Sequence, residues 1–196
     1  AGAAMVKLLK EVGHYSSVKL FEHDIAGDTM NSVRTGEVTY VIAENFYAET
    51  HNSLIYLYNH LETGWTPASN KLYMEPILVN KETCGNHWDF QKDERVLTSF
   101  ELNQLEKPLE KRSNKKWKLA LILPIGKDTW FDMAYRGAME GKKTLEALGL
   151  QVDVIDAFEG YDTFGKYEAF NPIIERLISE GYDGFSTCLF ENRIAE

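Results

Sequence analysis

Lys118-Leu119-Ala120-Leu121-Ile122-Leu123-Pro124 is the stretch that decides the fold. Its apolar residues run without a polar interruption from Leu119 up to the proline. A run so short and so continuous is the composition of a strand buried on both faces, as in the middle of a parallel sheet. The residues after it have a different period. Residues 130–148 place Ala134, Ala138, Gly141, Leu145 and Leu148 every three or four positions. That spacing predicts a helix, and its small residues would let it lie close to a sheet. Gly149 ends the helix, and Val152 to Ala157 returns to a strand. Asn171-Pro172 predicts a capping residue with proline at the first helical position. Phe170, Ile173, Ile174, Leu177 and Ile178 give that helix an apolar face, Gly181 stops it, and residues 184–190 predict a third strand. Strand, helix, strand, helix, strand is the order of a right-handed parallel α/β unit.

The same alternation continues upstream. Residues 3–12 place Ala4, Met5, Leu8, Leu9 and Val12 at helical spacing, and Gly13 closes that helix. Val18 to Phe21 predicts a strand ending at His23-Asp24, and Asp28 to Thr35 a short helix closed by Gly36. Val38 to Ala43 is a β-favouring run expected to be buried on both faces. A long helix follows to about Glu62, with Leu54, Leu57, Tyr58 and Leu61 on one side. Leu72 to Val79 predicts a further strand, and Pro76 within it assigns it to an edge or a crossing position. From Glu82 to Gln104 no period survives. Residues 106–116 are polar and basic without aromatic or glycine interleaving, the composition of a solvated linker. Two α/β units are therefore expected, 1–105 and 117–196, joined by a linker over 106–116. Each shows about three strands, fewer than stable sheets of this class usually have. The expectation is self-association that covers strand edges, hence a homo-oligomer.

The bulk composition excludes several functions. Apolar residues make up 44% and charged residues 26%, the ordinary balance of a soluble globular protein. The net charge of −9 argues against a phosphate-backbone grip, so no direct nucleic-acid contact is expected. No apolar run approaches the ~20 residues needed to span a bilayer. Cys84 and Cys188 are far apart and read as free thiols of a reducing compartment. The opening residues, Ala1-Gly2-Ala3-Ala4-Met5, are not a signal peptide and read as the interior of a helix, so the chain is expected to open in mid-domain.

Several of these stretches resemble a known family. Leu121-Ile122-Leu123-Pro124, Asp128-Thr129-Trp130-Phe131, Arg136-Gly137-Ala138, Ala147-Leu148-Gly149 and Ile178-Ser179-Glu180-Gly181-Tyr182-Asp183-Gly184-Phe185 are similar to the opening of the first lobe of type I periplasmic-binding-protein-like domains. Phe21-Glu22-His23-Asp24, Arg34-Thr35-Gly36-Glu37-Val38-Thr39, Val41-Ile42-Ala43-Glu44-Asn45 and Glu75-Pro76-Ile77-Leu78-Val79-Asn80-Lys81-Glu82 resemble the closing part of the second lobe. Together they cover about four-fifths of the chain. The resemblance implies parallel-sheet, Rossmann-like lobes of the type I periplasmic-binding-protein fold. The lobes stand in reversed order, which a window across tandem domains or a circular permutation would explain. Truncation of both matches at the outer ends favours the window.

The resemblance also implies a site. Ligands of open parallel sheets sit at the carboxyl ends of strands. Asp128, Trp130 and Phe131 follow the first strand of the 118–190 unit and hold the first lobe's ligand positions. There an aromatic face packs on a sugar ring and a carboxylate accepts from hydroxyls. Asp24 stands where the second lobe often keeps an acidic sugar-binding residue. His23 replaces the family's preceding aromatic, and Ile25 its following glycine. Glu44 ends the next strand, where the family often has a polar side chain. The implied function is sensing of a sugar or polyol by lobe closure, as the effector domain of a LacI-type transcriptional regulator in the cytoplasm. The alternative is the solute receptor of an ABC-type sugar importer, periplasmic or extracellular and lipid-anchored. No cofactor is implied, and no enzyme. The sequence has no glycine-rich phosphate loop, Gly-x-Ser-x-Gly elbow or His-Glu-x-x-His helix. Cys84-x-x-His87 has no second pair of ligands spaced for zinc, and Asp153 and Asp156 read as solvated or capping rather than as an acid/base pair.

Overall fold

The computed structural model describes residues 2–69, 71–124, 131–158, 160, 162, 164–188 and 190–194. It divides into two compact units. The first comprises Ala1–Asn45 and Tyr73–Gln104, the second Phe46–Leu72 and Leu105–Glu196. This division differs from the chain-order boundaries at 105 and 117, because the long helix after residue 45 groups with the later residues.

In the first unit, helix α1 (Gly2–Glu11) leads through a turn to strand β1 (Phe21–His23), helix α2 (Gly27–Thr35) and strand β2 (Tyr40–Ala43). β1 and β2 pair in parallel, with Phe21 opposite Tyr40 and His23 opposite Ile42. Gly36 closes α2 in the left-handed region (φ 81°), which glycine adopts without a steric penalty. Helix α3 (Phe46–Thr63) intervenes before strand β3 (Ile77–Val79), which joins β2 antiparallel at the sheet's edge. β3 begins at the residue after Pro76, which has no N–H to give to a ladder.

Only one face of this sheet is covered. Val41, Ala43, Ile77 and Val79 pack with Val6, Met30 and Val33. On the other face Phe21, Ile42 and Leu78 are exposed. The expectation that residues 38–43 are buried on both faces is therefore corrected: the burial along β2 alternates. α1 is also turned differently than its spacing suggests. Ala4, Met5, Leu8 and Val12 are exposed, and it is Val6 that enters the core.

The segment without period, 82–104, is held by polar chemistry. It contains α4 (Cys84–His87), the hairpin β4 (Trp88–Asp89) with β5 (Glu94–Arg95), and α5 (Ser99–Leu102). Thr98 and Glu101 form a reciprocal capping box at the start of α5. Glu101 is 1% exposed, yet its carboxylate accepts from the Thr98 N–H at 2.9 Å, the Thr98 hydroxyl at 2.8 Å and the Arg95 guanidinium. Burial pushes the Glu101 carboxyl up, but the hydrogen bond from His87 and the charge of Arg95 outweigh it and hold it below its ordinary value.

The second unit is a three-layer sandwich. Strands β6 (Lys118–Leu123), β7 (Gln151–Asp156) and β8 (Gly184–Thr187) form an all-parallel sheet in the order β7-β6-β8. Helix α6 (Asp132–Glu146) links the first pair, and helix α7 (Tyr167–Ser179) leads to β8. Leu119, Leu121 and Leu123 face α3 and α6, while Ala120 and Ile122 face Phe170 and Leu177 of α7. β6 is thus buried on both faces, as its composition requires. Asp183 fixes the sheet's amino edge: its carboxylate accepts the Lys118 N–H at 2.9 Å and the Lys115 ammonium at 2.6 Å.

Two expectations for this unit change. α7 begins at Tyr167, so Asn171 is not its cap and Pro172 lies inside it. The extra turn is anchored by Ala169 and Phe170, both buried, and by Glu191, which accepts the Tyr167 N–H at 2.8 Å. The close approach made by the small residues of α6 is to α3. A Cβ on Gly137 would lie 2.0 Å from the Tyr47 carbonyl oxygen, and one on Gly141 3.2 Å from that of His51. Between them the Thr50 hydroxyl donates to the Ala134 carbonyl at 2.7 Å.

Residues 106–116 run tied to α3. Asn52 accepts the Glu106 N–H and Asn59 the Leu109 N–H, each at 2.8 Å. Glu62 accepts the Arg112 N–H at 2.6 Å, the Ser113 hydroxyl at 2.9 Å and the Trp117 indole N–H at 2.6 Å. The Trp117 hydrogen bond, against the opposing effect of burial and with the N–H groups of Ser113 and Arg112, pulls the Glu62 carboxyl down to about 2.

Two outcomes are expected. Gly137→Ala overpacks the helix contact against backbone and lowers stability by about 1–3 kcal/mol, although alanine is the better helix former. Gly141→Ala, with more room, costs less; urea unfolding followed by circular dichroism ranks the two. Glu62 has a folded pKa below its ordinary 4.5, so its stabilisation is complete above that pH and is lost as the pH falls towards 2. Glu62→Gln should melt below the parent at pH 7, and the gap in Tm should close between about pH 4.5 and 2.

Candidate functional site

Parallel pairing carries three titratable side chains to one place. β1 ends at His23, and the ladder continues through the Asp24 N–H, which donates to the Ile42 carbonyl at 3.1 Å. Asp24 then turns the chain with φ 68°, a left-handed conformation that Asp tolerates better than most residues. β2 ends at Ala43, so Glu44 emerges beside His23 at the same carboxyl edge. The next residue, Asn45, is buried and donates to the Glu101 carbonyl at 3.0 Å. That bond anchors the backbone just after Glu44.

The imidazole of His23 lies between the two carboxylates. Its Nδ1 is 3.1 Å from Asp24 Oδ1 and its Nε2 is 3.0 Å from Glu44 Oε1. Asp24 Oδ1 meets Nδ1 at ion-pair distance. Asp24 Oδ1 and Glu44 Oε2 are inaccessible to solvent, and neither has a hydrogen-bond donor among the described residues. Buried acceptors left this way are unusual, because desolvating them without a donor is costly. Burial lowers the His23 pKa, but the negative charges of the adjoining Asp24 and Glu44 carboxylates prevail and raise it above 6.5. On the same face of β1, two residues before His23, the exposed ring of Phe21 stacks on Tyr40 with centroids 5.7 Å apart.

The second unit offers a different edge. Asp128 and Trp130, expected to contact ligand, lie outside the described residues. Phe131 is 5% exposed and belongs to the core under α3 and α6. Its ring meets Phe164 at 5.7 Å, and Phe164 meets Phe190 at 5.4 Å and Phe158 at 6.4 Å. This chain of rings lies where residues following β6, β7 and β8 come together. Cys188, just past β8, is raised to about 11 by burial and by the Glu49 charge, so it is a poor nucleophile.

Of the expected site residues, the structure brings His23, Asp24 and Glu44 together and places Phe131 in the core. Sequence reasoning did not find the Arg95–Glu101–His87 cluster that stands behind Asn45. The spacing Thr98-x-x-Glu101 is the signal that could have marked it. No protein-family model matches the chain, and no curated protein matches it. The structure itself defines the class: a mixed α/β protein whose second unit has a wholly parallel sheet, compatible with a Rossmann-like fold. No helix among the described residues is long and apolar enough to cross a membrane.

The arrangement predicts a titration. In a proton NMR titration His23 should show a midpoint above 6.5, and Asp24→Asn or Glu44→Gln should each move it down. A midpoint at or below 6.5 would contradict the ion-pair geometry.

Proposed function

We propose that this chain is a small-molecule-binding protein of the type I periplasmic-binding-protein-like kind, taking a sugar or polyol rather than catalysing a reaction. One observation carries the reading: two solvent-inaccessible carboxylate oxygens without donors, Asp24 Oδ1 and Glu44 Oε2, beside an exposed imidazole at the carboxyl ends of two parallel strands. Ligands of open α/β sheets occupy that edge. With a side-chain rotation that opens them, a polyhydroxylated ligand supplies what these oxygens lack, neutral O–H donors in a row. The Phe21–Tyr40 stack adds an apolar platform on the same face for the C–H side of a ring. The titratable groups do not compose a nucleophile with a base, and the raised Cys188 thiol argues against one in the second unit.

Isothermal titration calorimetry with a panel of neutral monosaccharides and polyols tests this. At least one is expected to bind, and Asp24→Ala and Glu44→Ala should each weaken it about 10-fold or more, since a hydrogen bond to a charged group contributes ~1.5–3 kcal/mol. A panel without heat, or affinity unchanged in both variants, would remove the reading.

A further inference from the structure

We infer that His23, Asp24 and Glu44 form a binding site for one divalent transition-metal ion of the zinc type. One ring nitrogen of His23 and one oxygen from each carboxylate lie within 4.8 Å of one another. Tetrahedral zinc, with bonds of about 2.0–2.2 Å, holds its ligands roughly 3.4 Å apart. Small side-chain rotations close that difference, since His23 and Glu44 are partly in solvent and free to adjust.

Two features of these carboxylates support a cation here. The first is the donorless pair, Asp24 Oδ1 and Glu44 Oε2, which a cation would satisfy as a hydroxyl would. The second is charge. Among the described residues, neither carboxylate has a Lys or Arg ion-pair partner; His23 is their only basic neighbour. Two carboxylates and a neutral imidazole present a net negative donor set to a 2+ ion.

The donors also select the metal. Calcium and magnesium take oxygen ligands in sets of six or more, whereas one imidazole with two carboxylates suits zinc, cobalt or nickel. Three protein ligands leave a fourth position for water or for a hydroxyl oxygen of a bound polyol. The support behind the ligands is built in. Asn45 fixes the chain after Glu44 through the Glu101 carbonyl, and the Asp24 N–H is held by Ile42.

The site is not written in any sequence spacing. His23 and Asp24 are adjacent, but Glu44 reaches them only because β1 and β2 pair in parallel with His23 opposite Ile42.

The cation site stands apart from the polyol reading, because its probe is the metal alone. The full chain, freed of metal with a chelator and dialysed, is titrated with zinc chloride by calorimetry. Saturable binding of one equivalent is expected. His23→Ala and Glu44→Ala should each weaken it at least 10-fold, while His14→Ala, elsewhere in the unit and exposed, should leave it unchanged. Cobalt(II) binding to the parent gives a second readout that needs no variant to fold, a visible d–d absorption that one equivalent of zinc abolishes. Absence of saturable zinc binding, zinc affinity retained in both variants, or cobalt binding without that absorption overturns the site. Sugar titrations repeated on the chelator-treated protein separate the two readings. Zinc binding without sugar binding leaves the cation site and removes the polyol; sugar binding without zinc binding does the reverse.

Discussion

At Gly137 the backbone of α6 comes so near α3 that a single methyl group would strike the Tyr47 carbonyl. Much of the second unit depends on that approach. α3 and α6, side by side, cover the Leu119, Leu121 and Leu123 face of the parallel sheet. α3 also sets the end of the Leu57 side chain against β8, where a Cβ on Gly184 would lie 2.9 Å from it. With its position set, α3 presents Asn52, Asn59 and Glu62 in line to receive the backbone of 106–116. That segment delivers the chain to Trp117 and Lys118 at the start of β6. A stretch with a linker's composition is thereby made into structure. Its N–H groups find side-chain acceptors on a neighbouring helix instead of a ladder.

The first unit is organised by the opposite circumstance, a sheet covered on one side only. Its open face carries Phe21, Ile42 and Leu78, and its carboxyl edge carries His23, Asp24 and Glu44. Behind the edge stands Glu101, a buried charge of the kind that destabilises unless every oxygen is engaged. Here it is engaged, by Thr98 and Arg95, with His87 close by. The polar cluster does for 82–104 what hydrophobic periodicity does elsewhere. It then holds Asn45, and so the chain beside Glu44.

Much of this was legible residue by residue. β6 is plain because a short uninterrupted apolar run before a proline has the composition of a strand with two covered faces, and both faces are covered. The α3 face of Leu54, Leu57, Tyr58 and Leu61 was plain because helical spacing puts those residues on one side. α1 departs from its spacing because its apolar residues allow more than one face, and the core accepts Val6. α7 starts earlier than its sequence suggests because local chemistry at Asn171-Pro172 favours a start that the burial of Ala169 and Phe170 overrides. At the candidate site, His23, Asp24 and Glu44 were each singled out by their place after a strand. Nothing in their spacing showed that His23 would sit between the two carboxylates.

By itself, then, the sequence determined the alternation of strands and helices, the buried strand at 118–123, and which polar residues would stand at strand ends. Those are consequences of period and composition, which act within a few residues of one another. Tertiary structure alone decided that α3 leaves its chain neighbours to cover the later sheet, that 106–116 is bound along it, and that Glu44 meets His23. Each of those is a contact between distant stretches of chain. Such contacts are set by which surfaces fit, as at Gly137, and by which buried donors and acceptors find each other, as at Glu62 and Glu101. No local pattern encodes that choice, because it belongs to both partners at once.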